Sequence, residues 1–380
     1  MDISFNEDQV EIANQARRFL ENECPMDYVR EMYDDERGFT DELWAKMVEM
    51  GWMGLRIPEE YDGVGLGLMD LCIVSEEMGR AVLPGPYFST VMLAAESLME
   101  AGDDSQKKLY LPKISMGETR GTLAILEPDA GPEPGYIQME ARSEGETFIL
   151  NGTKLFVHDA HTADFIICPA RTEPGHDPNH GVTLFMVNTK TAGVSITPLK
   201  TMDGTRKQCE VRFDNVGISK EGILGELNKG WGPLLRVFQR AQVGISAENV
   251  GGAQKAMEIS VDYAKIRQQF GQPIGSFQAI KHKCAEMLVD VEGSRSLLYY
   301  AIWAQEEEEP ETAALAASAA KAFTSDAFRN VSTVGIQVMG GIGCTWEHDM
   351  HIYLKRAKSN QVALGDSAFH REEVARLLGF

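Results

Sequence analysis

The order of apolar and polar positions divides the chain into a helical part, a β-rich part and a second helical part. In residues 1–120, apolar side chains recur at helical spacing, for example in MDLCIVSEEMGRA (69–81) and STVMLAAESLMEAG (89–102). Asn6, followed three residues later by Gln9, predicts a capping box at the start of the first helix. This region is therefore predicted to form an N-terminal helical domain.

Residues 121–229 carry the pattern of a β-domain. Seven short runs rich in β-branched and aromatic residues alternate with turn clusters: TLAILEP, YIQMEARSEG, TFILNGTKLFV, DFIICPAR, VTLFMVNT, GVSITPL and CEVRFDNVGI. Runs at this spacing predict a small β-barrel or a β-sandwich. His176 and His180 share one turn, where a solvated hairpin tip is a simpler interpretation than a metal site, so no metal is expected.

Helical spacing returns over residues 230–380. The predicted helices run from Trp231 to Phe270, from 276 to 309, from 310 to 340 and from about Ser367 to Leu378. Together they predict a C-terminal antiparallel four-helix bundle. The β-barrel of the middle region is then predicted to lie, in chain order, between two helical domains. The fold class is thus predicted to be mainly α with a central β-domain.

Composition and charge exclude several classes of function. Hydrophobic residues make up 43% of the 380 residues and charged residues 24%, which is typical of a globular protein with a sizeable core. A net charge of −21 argues against binding to nucleic acid or to an anionic membrane. No run of about 18 apolar residues is present to span a membrane, and no signal peptide is recognisable. Six scattered cysteines without a C-x-x-C pair favour a reducing, cytoplasmic location.

Six segments carry a resemblance to a known family. They are YDGVGLG with SEEMGRA (61–81), EPDAG (127–131), NGTKLFV (151–157), VGISKEGILGELNKGWG (216–232), YAKIRQQFGQPIGSFQAIKHKCAEM (263–287) and QVMGGIGCTWE (337–347). In this order they resemble the acyl-CoA dehydrogenase family over essentially the whole chain. The resemblance implies an FAD cofactor, α,β-dehydrogenation of an acyl-CoA substrate, transfer of electrons to an electron-transfer flavoprotein, and a tetramer.

The resemblance also explains why the helical pattern breaks at RQQFGQPIGSFQ (267–278). In the family this break enters the cofactor site of a neighbouring subunit, where Arg267 suits the FAD pyrophosphate. A simple αα-hairpin turn explains the glycines and the proline, but not the arginine and the glutamine. The implied FAD residues are Ile125, Leu126, Gly131 and Pro132 within the segment 124–132, Phe156, His158, Arg267, Phe270, Phe277, Gln278, Gln337, Gly340, Gly341 and Ser367.

Phe156 and His158 stand where the family usually has tryptophan and threonine. The threonine hydroxyl of relatives bonds near flavin N5. A histidine can donate the same bond, and it adds a titratable group beside the redox centre. The alternative interpretation of His158 is a partly exposed strand residue.

The catalytic base is not where the family places it. Most members carry a glutamate in a Tyr-Glu-Gly-Thr segment, which is matched here by residues 363–366 with Leu364 in place of the glutamate. Asp366 lies in the same loop and is a candidate base, unless it is the N-cap of the last helix, a role that Ser367 can also fill. Glu248 on the long helix is the second candidate, and its alternative is a buried acid paired with an arginine or with a backbone group.

The substrate residues differ from the family as well. Gln242 matches an arginine that contacts the CoA portion in relatives, and Arg240 would replace it only if the helix rotated. Leu68, Tyr87 and Leu93 lie in segments that shape the acyl pocket of relatives. Two functions therefore stand: a working dehydrogenase with Asp366 as base, or a non-catalytic subunit of a mixed tetramer. Such tetramers typically act on bulky, cyclic or branched acyl groups.

Overall fold

The computed structural model describes residues 5–128, 131, 133–174 and 177–380. The helices are α1 (Glu7–Glu23), α2 (Met26–Asp34), α3 (Asp41–Glu49), α4 (Leu68–Ala81), α5 (Glu96–Ala101), α6 (Asp104–Ser115), α7 (Trp231–Ile266), α8 (Gln278–Glu307), α9 (Pro310–Met339), α10 (Met350–Val362) and α11 (Ser367–Leu377). The strands are β1 (Gly121–Leu123), β2 (Glu140–Glu144), β3 (Thr147–His158), β4 (Phe165–Arg171), β5 (Val182–Asn188), β6 (Val194–Leu199), β7 (Gln208–Ser219), β8 (Ile223–Leu224), β9 (Gln268–Gln269) and β10 (Gln272–Pro273).

Contacts within the chain define two compact units. The first, which is mainly helical, comprises the chain up to Glu31, Leu68–Leu83 and Gln242–Phe380. The second comprises Met32–Gly67 and Pro84–Ala241 and contains the large sheet. Among the described residues, no helix combines the length and the apolarity that crossing a membrane requires.

The predicted helices of the C-terminal part are confirmed with small shifts. α8, α9 and α11 begin and end within two residues of their predicted bounds, whereas α7 ends at Ile266, before the predicted Phe270. The capping box at α1 is also confirmed. The Gln9 amide donates to Asn6 Oδ1 at 2.8 Å, and the Asn6 amide donates to Gln9 Oε1 at 3.2 Å.

Two helical elements differ from the prediction. Residues 88–95 form a π-helix, Phe88–Ala95, that leads into α5, where the pattern predicts one α-helix over 89–102. α10 was not predicted at all. Its buried face places His351, Arg356 and Asn360 among four apolar residues, so polar side chains interrupt the apolar stripe on which helix prediction depends.

In the first unit, α4 and α7 cross at very short distance through paired glycines. A Cβ added to Gly79 would lie 2.1 Å from the Glu248 carbonyl oxygen, and one added to Gly251 would lie 1.8 Å from the Glu76 carbonyl oxygen. Neither position therefore accepts a side chain without displacement of the other helix. Glycine is required here by the close approach of two backbones.

The second unit contains an eight-stranded sheet in the order β6-β7-β3-β2-β4-β5-β8, with β1 paired to β4 in parallel. Each predicted run contains a strand, which confirms the central β-domain, and only the two-residue β8 was missed. The core of the sheet is formed by buried side chains that include Phe148, Leu150, Phe185, Val211 and Phe213. The pairing of β3 with β7 is interrupted between Lys154 and Val157, which marks a bulge in β3.

Candidate functional site

The helix break at 267–278 is a β-hairpin followed by a single turn of 3₁₀-helix. β9 and β10 pair antiparallel, and the two residues between them, Phe270 and Gly271, have φ angles of 51° and 78°. Two consecutive positive φ angles are the signature of a tight hairpin turn, in which glycine is the favoured second residue. The chain then passes through Ile274–Ser276 into α8.

This hairpin carries an aromatic side chain and a cation that no described part of the chain uses. Phe270 is 92% exposed, and its ring makes a T-shaped contact with Phe277 at 6.2 Å between centroids. Arg267 is exposed and forms no ion pair with any described residue. No side-chain hydrogen bond caps the first turn of α8 at Gln278. An arginine beside an uncapped helix N-terminus is suited to bind a phosphate group.

The glycines that follow α9 lie at the same end of the α8–α9 pair. Lys283 on α8 donates to Gln337 Oε1 on α9 at 2.9 Å, which places the start of α8 beside the end of α9. A Cβ added to Gly340 or Gly341 would meet no described atom within 4 Å. Packing within the chain does not require glycine at position 341, whereas Gly343 lies against the Ile336 backbone. Open glycines of this kind allow a ligand to approach the backbone closely, so this end fits the implied FAD.

In the second unit, the segment that begins at Ala124 is held by a buried ion pair that the sequence did not reveal. Lys154 is fully buried, and its Nζ donates to Glu127 Oε1 at 2.7 Å and to the Ile125 carbonyl at 3.2 Å. The Leu126 carbonyl accepts from the Leu155 amide at 2.8 Å. These bonds fix the backbone at Ile125 and Leu126. Gly131 is half-buried, and Pro132 lies outside the described residues, as does His176.

Phe156 and His158, close to the bulge in β3, differ in how far their side chains are exposed to solvent. Phe156 has a φ of 53° and is half-exposed, whereas His158 is only 7% exposed. The His158 ring packs edge-on against Phe88 of the π-helix at 5.9 Å, and its carbonyl accepts from Thr122 Oγ1 at 2.6 Å. His158 is therefore a buried residue, and the alternative of a partly exposed strand histidine does not hold. Its role at a flavin remains a prediction.

Asp366 is the N-cap of α11 and is exposed. Its Oδ1 accepts from the Phe369 amide at 2.8 Å. Ser367 is buried, and its hydroxyl donates to Asp326 Oδ1 at 2.9 Å. Ser367 therefore does not replace Asp366 as the N-cap of α11. A base that removes a carbon-bound proton works best when it is desolvated, and Asp366 in this chain is not.

Glu248 is buried in the first unit beside an arginine. Arg356 Nη1 donates to Glu248 Oε2 at 3.4 Å, and Asn360 Nδ2 lies 3.5 Å from the same oxygen. Arg356 also donates to the Leu83 carbonyl at 3.0 Å. The structure thus shows Glu248 as the paired, buried acid rather than as a carboxylate that faces a substrate.

The two candidate substrate residues have different surroundings. Arg240 donates to Glu100 Oε2 at 2.7 Å and lies 3.5 Å from Glu96, so its charge is already matched. Gln242 is buried, and its Nε2 lies 3.5 Å from the Leu364 carbonyl. Its Oε1 has no hydrogen-bond partner among the residues that the structure describes. Leu68, Tyr87 and Leu93 are all buried.

Comparison with known proteins identifies the family. Profiles described as the acyl-CoA dehydrogenase N-terminal, middle and C-terminal domains match residues 6–118, 122–216 and 228–379. The probable acyl-CoA dehydrogenase YngJ of Bacillus subtilis (strain 168) is 32% identical over 92% of this chain and 92% of its own length. The chain belongs to the acyl-CoA dehydrogenase family of oxidoreductases, and the predicted resemblance and three-domain fold are confirmed.

Solved structures share the whole fold. The butyryl-CoA dehydrogenase of Megasphaera elsdenii superposes with a TM-score of 0.91 at 28% identity, with 100% of both chains covered. A chain in the ChsE4-ChsE5 complex of Mycobacterium tuberculosis superposes with a TM-score of 0.90 at 25% identity, covering 100% of this chain and 99% of that one. One of the similar structures is therefore a complex between two differently named proteins.

Proposed function

We propose that this chain is a subunit of an FAD-dependent acyl-CoA dehydrogenase whose catalytic base is supplied by a second, related chain. The reaction is the α,β-dehydrogenation of an acyl-CoA thioester, with electrons passed on to an electron-transfer flavoprotein. Arg267, Phe270 and the glycines after α9 would hold the FAD, which would supply the acceptor for a hydride from the β-carbon while the base takes the α-proton. The acyl group is of the bulky, cyclic or branched class that the family's mixed tetramers take.

The exposed end of α8 and α9 supports the FAD part of the proposal. Arg267 and the uncapped first turn of α8 supply positive charge for a pyrophosphate. Phe270 offers an exposed ring for packing against the cofactor, and Gly340 and Gly341 leave room for its close approach. Each of these features has no use within the described chain, which is expected if the ligand is bound together with a neighbouring subunit.

One observation carries the non-catalytic part of the proposal: both candidate carboxylates are engaged elsewhere. Asp366 caps α11 in solvent, and Glu248 is paired with Arg356 in the core. Most members of the family carry the base at the position of Leu364, and other members carry it early in the long helix, at the position of Ala241. Similarity to a chain of the ChsE4-ChsE5 complex agrees with an assembly of two different chains. The competing function, a self-sufficient dehydrogenase, requires Asp366 to leave its cap.

Anaerobic reduction of bound flavin by a panel of acyl-CoA thioesters distinguishes the two functions. The FAD-loaded chain purified alone is expected to stay oxidised, and Leu364→Glu is expected to gain activity because it restores the family's acid. Leu364→Gln, which has the same shape without the acid, is the matched control and should stay silent. Reduction by the wild-type chain alone, at a rate that falls in Asp366→Asn, would show instead that Asp366 is the base.

A further inference from the structure

Residues 361–366, the last two of α10 and the turn that leads into α11, carry Leu364; we name this segment the 364 turn. Three of its backbone carbonyls accept hydrogen bonds from buried side chains. Lys321 Nζ on α9 donates to the Gly365 carbonyl at 2.9 Å and to the Gln361 carbonyl at 3.3 Å. His370 Nε2 lies 3.0 Å from the Leu364 carbonyl. The backbone of the turn is thus bonded from α9 and α11, and Gln242 Nε2 on α7 lies 3.5 Å from the same Leu364 carbonyl.

Lys321 is a wholly buried amine without a paired carboxylate. It is 0% exposed, and no described carboxylate lies within ion-pair distance of its Nζ. Burial lowers the pKa of Lys321 to about 7, and the charges of Asp366 on the turn and Asp326 on α9 oppose this shift only in part. The Gly365 and Gln361 carbonyls are its hydrogen-bond acceptors in this site.

His370 completes the cluster as a neutral side chain. Burial first, and the charge of Lys321 second, lower the pKa of His370 to about 4. The neutral ring therefore carries its proton on Nε2, which donates to the Leu364 carbonyl, and Nδ1 accepts from the Ser318 hydroxyl at 3.3 Å. Among the described residues, the charges that act on Lys321 are the carboxylates of Asp366 and Asp326, whereas His370 on α11 is uncharged near neutral pH.

The backbone of the 364 turn needs such support. Leu364 has a φ of 56° and Gly365 a φ of 97°. A leucine in the left-handed region is strained by roughly 1 kcal/mol, so it persists only where the surroundings hold it. Lys321, His370 and Gln242 hold it through its carbonyls, and the Asp366 cap fixes its other end.

We propose that Lys321 is a positioning residue, whose amine fixes the 364 turn and thereby the place of residue 364 by bonding to two carbonyls of the turn. The proposal rests on the proposed function only for the significance of residue 364, the family's base position. The contacts themselves do not depend on it. Lys321 does not touch the reacting atoms and acts through the turn.

This arrangement links the turn to pH with a definite sign. When the turn opens and water reaches Lys321, its pKa returns toward the ordinary value of 10.5, so the open state binds a proton that the closed state does not hold above about pH 7. The closed turn is therefore favoured as pH rises above 7. The opening equilibrium falls by up to about tenfold per pH unit, and below pH 7 it is independent of pH.

Hydrogen exchange of the full-length, FAD-loaded protein tests the proposal. Peptides covering the 364 turn are compared between pH 6 and pH 9, after correction for intrinsic exchange, in wild type, Lys321→Met and the exposed-lysine control Lys265→Met. We expect Lys321→Met to raise exchange of the turn by about tenfold or more at pH 8 and to abolish its pH dependence. Lys265→Met should match wild type. Unchanged exchange in Lys321→Met, or the wild-type pH dependence in that variant, overturns the proposal.

A second variant and a kinetic measurement keep the test decisive. If Lys321→Met does not fold, Lys321→Gln retains a donor but no titratable group, and it must lose the pH dependence; a retained dependence refutes the proposal. In the Leu364→Glu chain, adding Lys321→Met should lower the rate of flavin reduction by tenfold or more with little change in thioester Kd. Absence of any activity in Leu364→Glu alone counts against the proposed function, whereas the exchange data decide on Lys321.

Discussion

Replacement of Glu248 by glutamine separates a structural acid from a catalytic one. Glu248 and Arg356 are both buried, with 3.4 Å between the carboxylate oxygen and Nη1. Glu248→Gln keeps the shape and one acceptor but removes the negative charge beside the buried Arg356 guanidinium. Arg356 retains its bond to the Leu83 carbonyl, which compensates in part. The expected result is a loss of stability without an effect on chemistry.

The magnitude follows from the burial of the pair. Removal of one partner of a buried ion pair costs roughly 3–5 kcal/mol, and the retained amide acceptor places Glu248→Gln near the lower end, about 3 kcal/mol. Arg356→Met should cost a similar amount, because it removes the positive charge that lies beside the buried carboxylate. The double variant Glu248→Leu/Arg356→Met should cost much less than the sum, since no buried charge remains.

Urea unfolding of the FAD-loaded protein, at one fixed protein concentration and followed by circular dichroism, measures these differences as shifts of the midpoint. Glu42→Gln, which removes an exposed partner of Lys46, is the control and should leave the midpoint where it is. Flavin reduction by acyl-CoA is measured on the same samples. If Glu248→Gln unfolds like wild type and yet abolishes reduction in the active assembly, the reasoning fails and Glu248 is the base.

Three further outcomes are expected. The purified protein should be yellow with noncovalent FAD, and Arg267→Ala should weaken FAD retention by about tenfold or more, measured by ultrafiltration; a protein that stays colourless with added FAD contradicts the cofactor proposal. Light scattering at micromolar concentration should give a tetramer, alone or with a related chain, and a monomer would contradict it. Asp366→Asn, which keeps an N-cap, should change neither stability nor flavin reduction; a loss of about 10²–10⁴ in rate would identify Asp366 as the base.

The periodic elements of the chain were predictable because their buried faces are apolar. α8, α9 and the strands of the sheet follow from the spacing of their side chains, and α10 does not, since it buries an arginine, an asparagine and a histidine. The π-helix Phe88–Ala95 was not predicted either. Its apolar residues are equally compatible with an α-helix, so the composition does not distinguish the two.

The sequence offers a set of candidate site residues, which stay predictions, but it does not reveal their contacts. The helix break pointed to Arg267 and Gln278, whereas nothing in the sequence indicated that the break is a hairpin with Phe270 at its tip. The choice between Asp366 and Ser367 as helix cap depends on Asp326, which lies on another helix and binds the serine. The ion pair between Lys154 and Glu127 could not be predicted for the same reason, because partners that are distant in sequence form no local pattern.

The paired glycines of the α4–α7 crossing have a consequence for the cost of ligand binding. Because the two backbones touch at Gly79 and Gly251, α4 and α7 can move only together. α4 is in turn tied to α1 by Arg17 and Glu77, and to α8 by Arg295 and Glu76. Four helices thus form one preorganised block, and α8 presents its exposed start from it. Little free energy is then spent on ordering the protein when a cofactor binds there. Mutations at the crossing should therefore weaken cofactor binding even though the mutated residues do not contact the ligand.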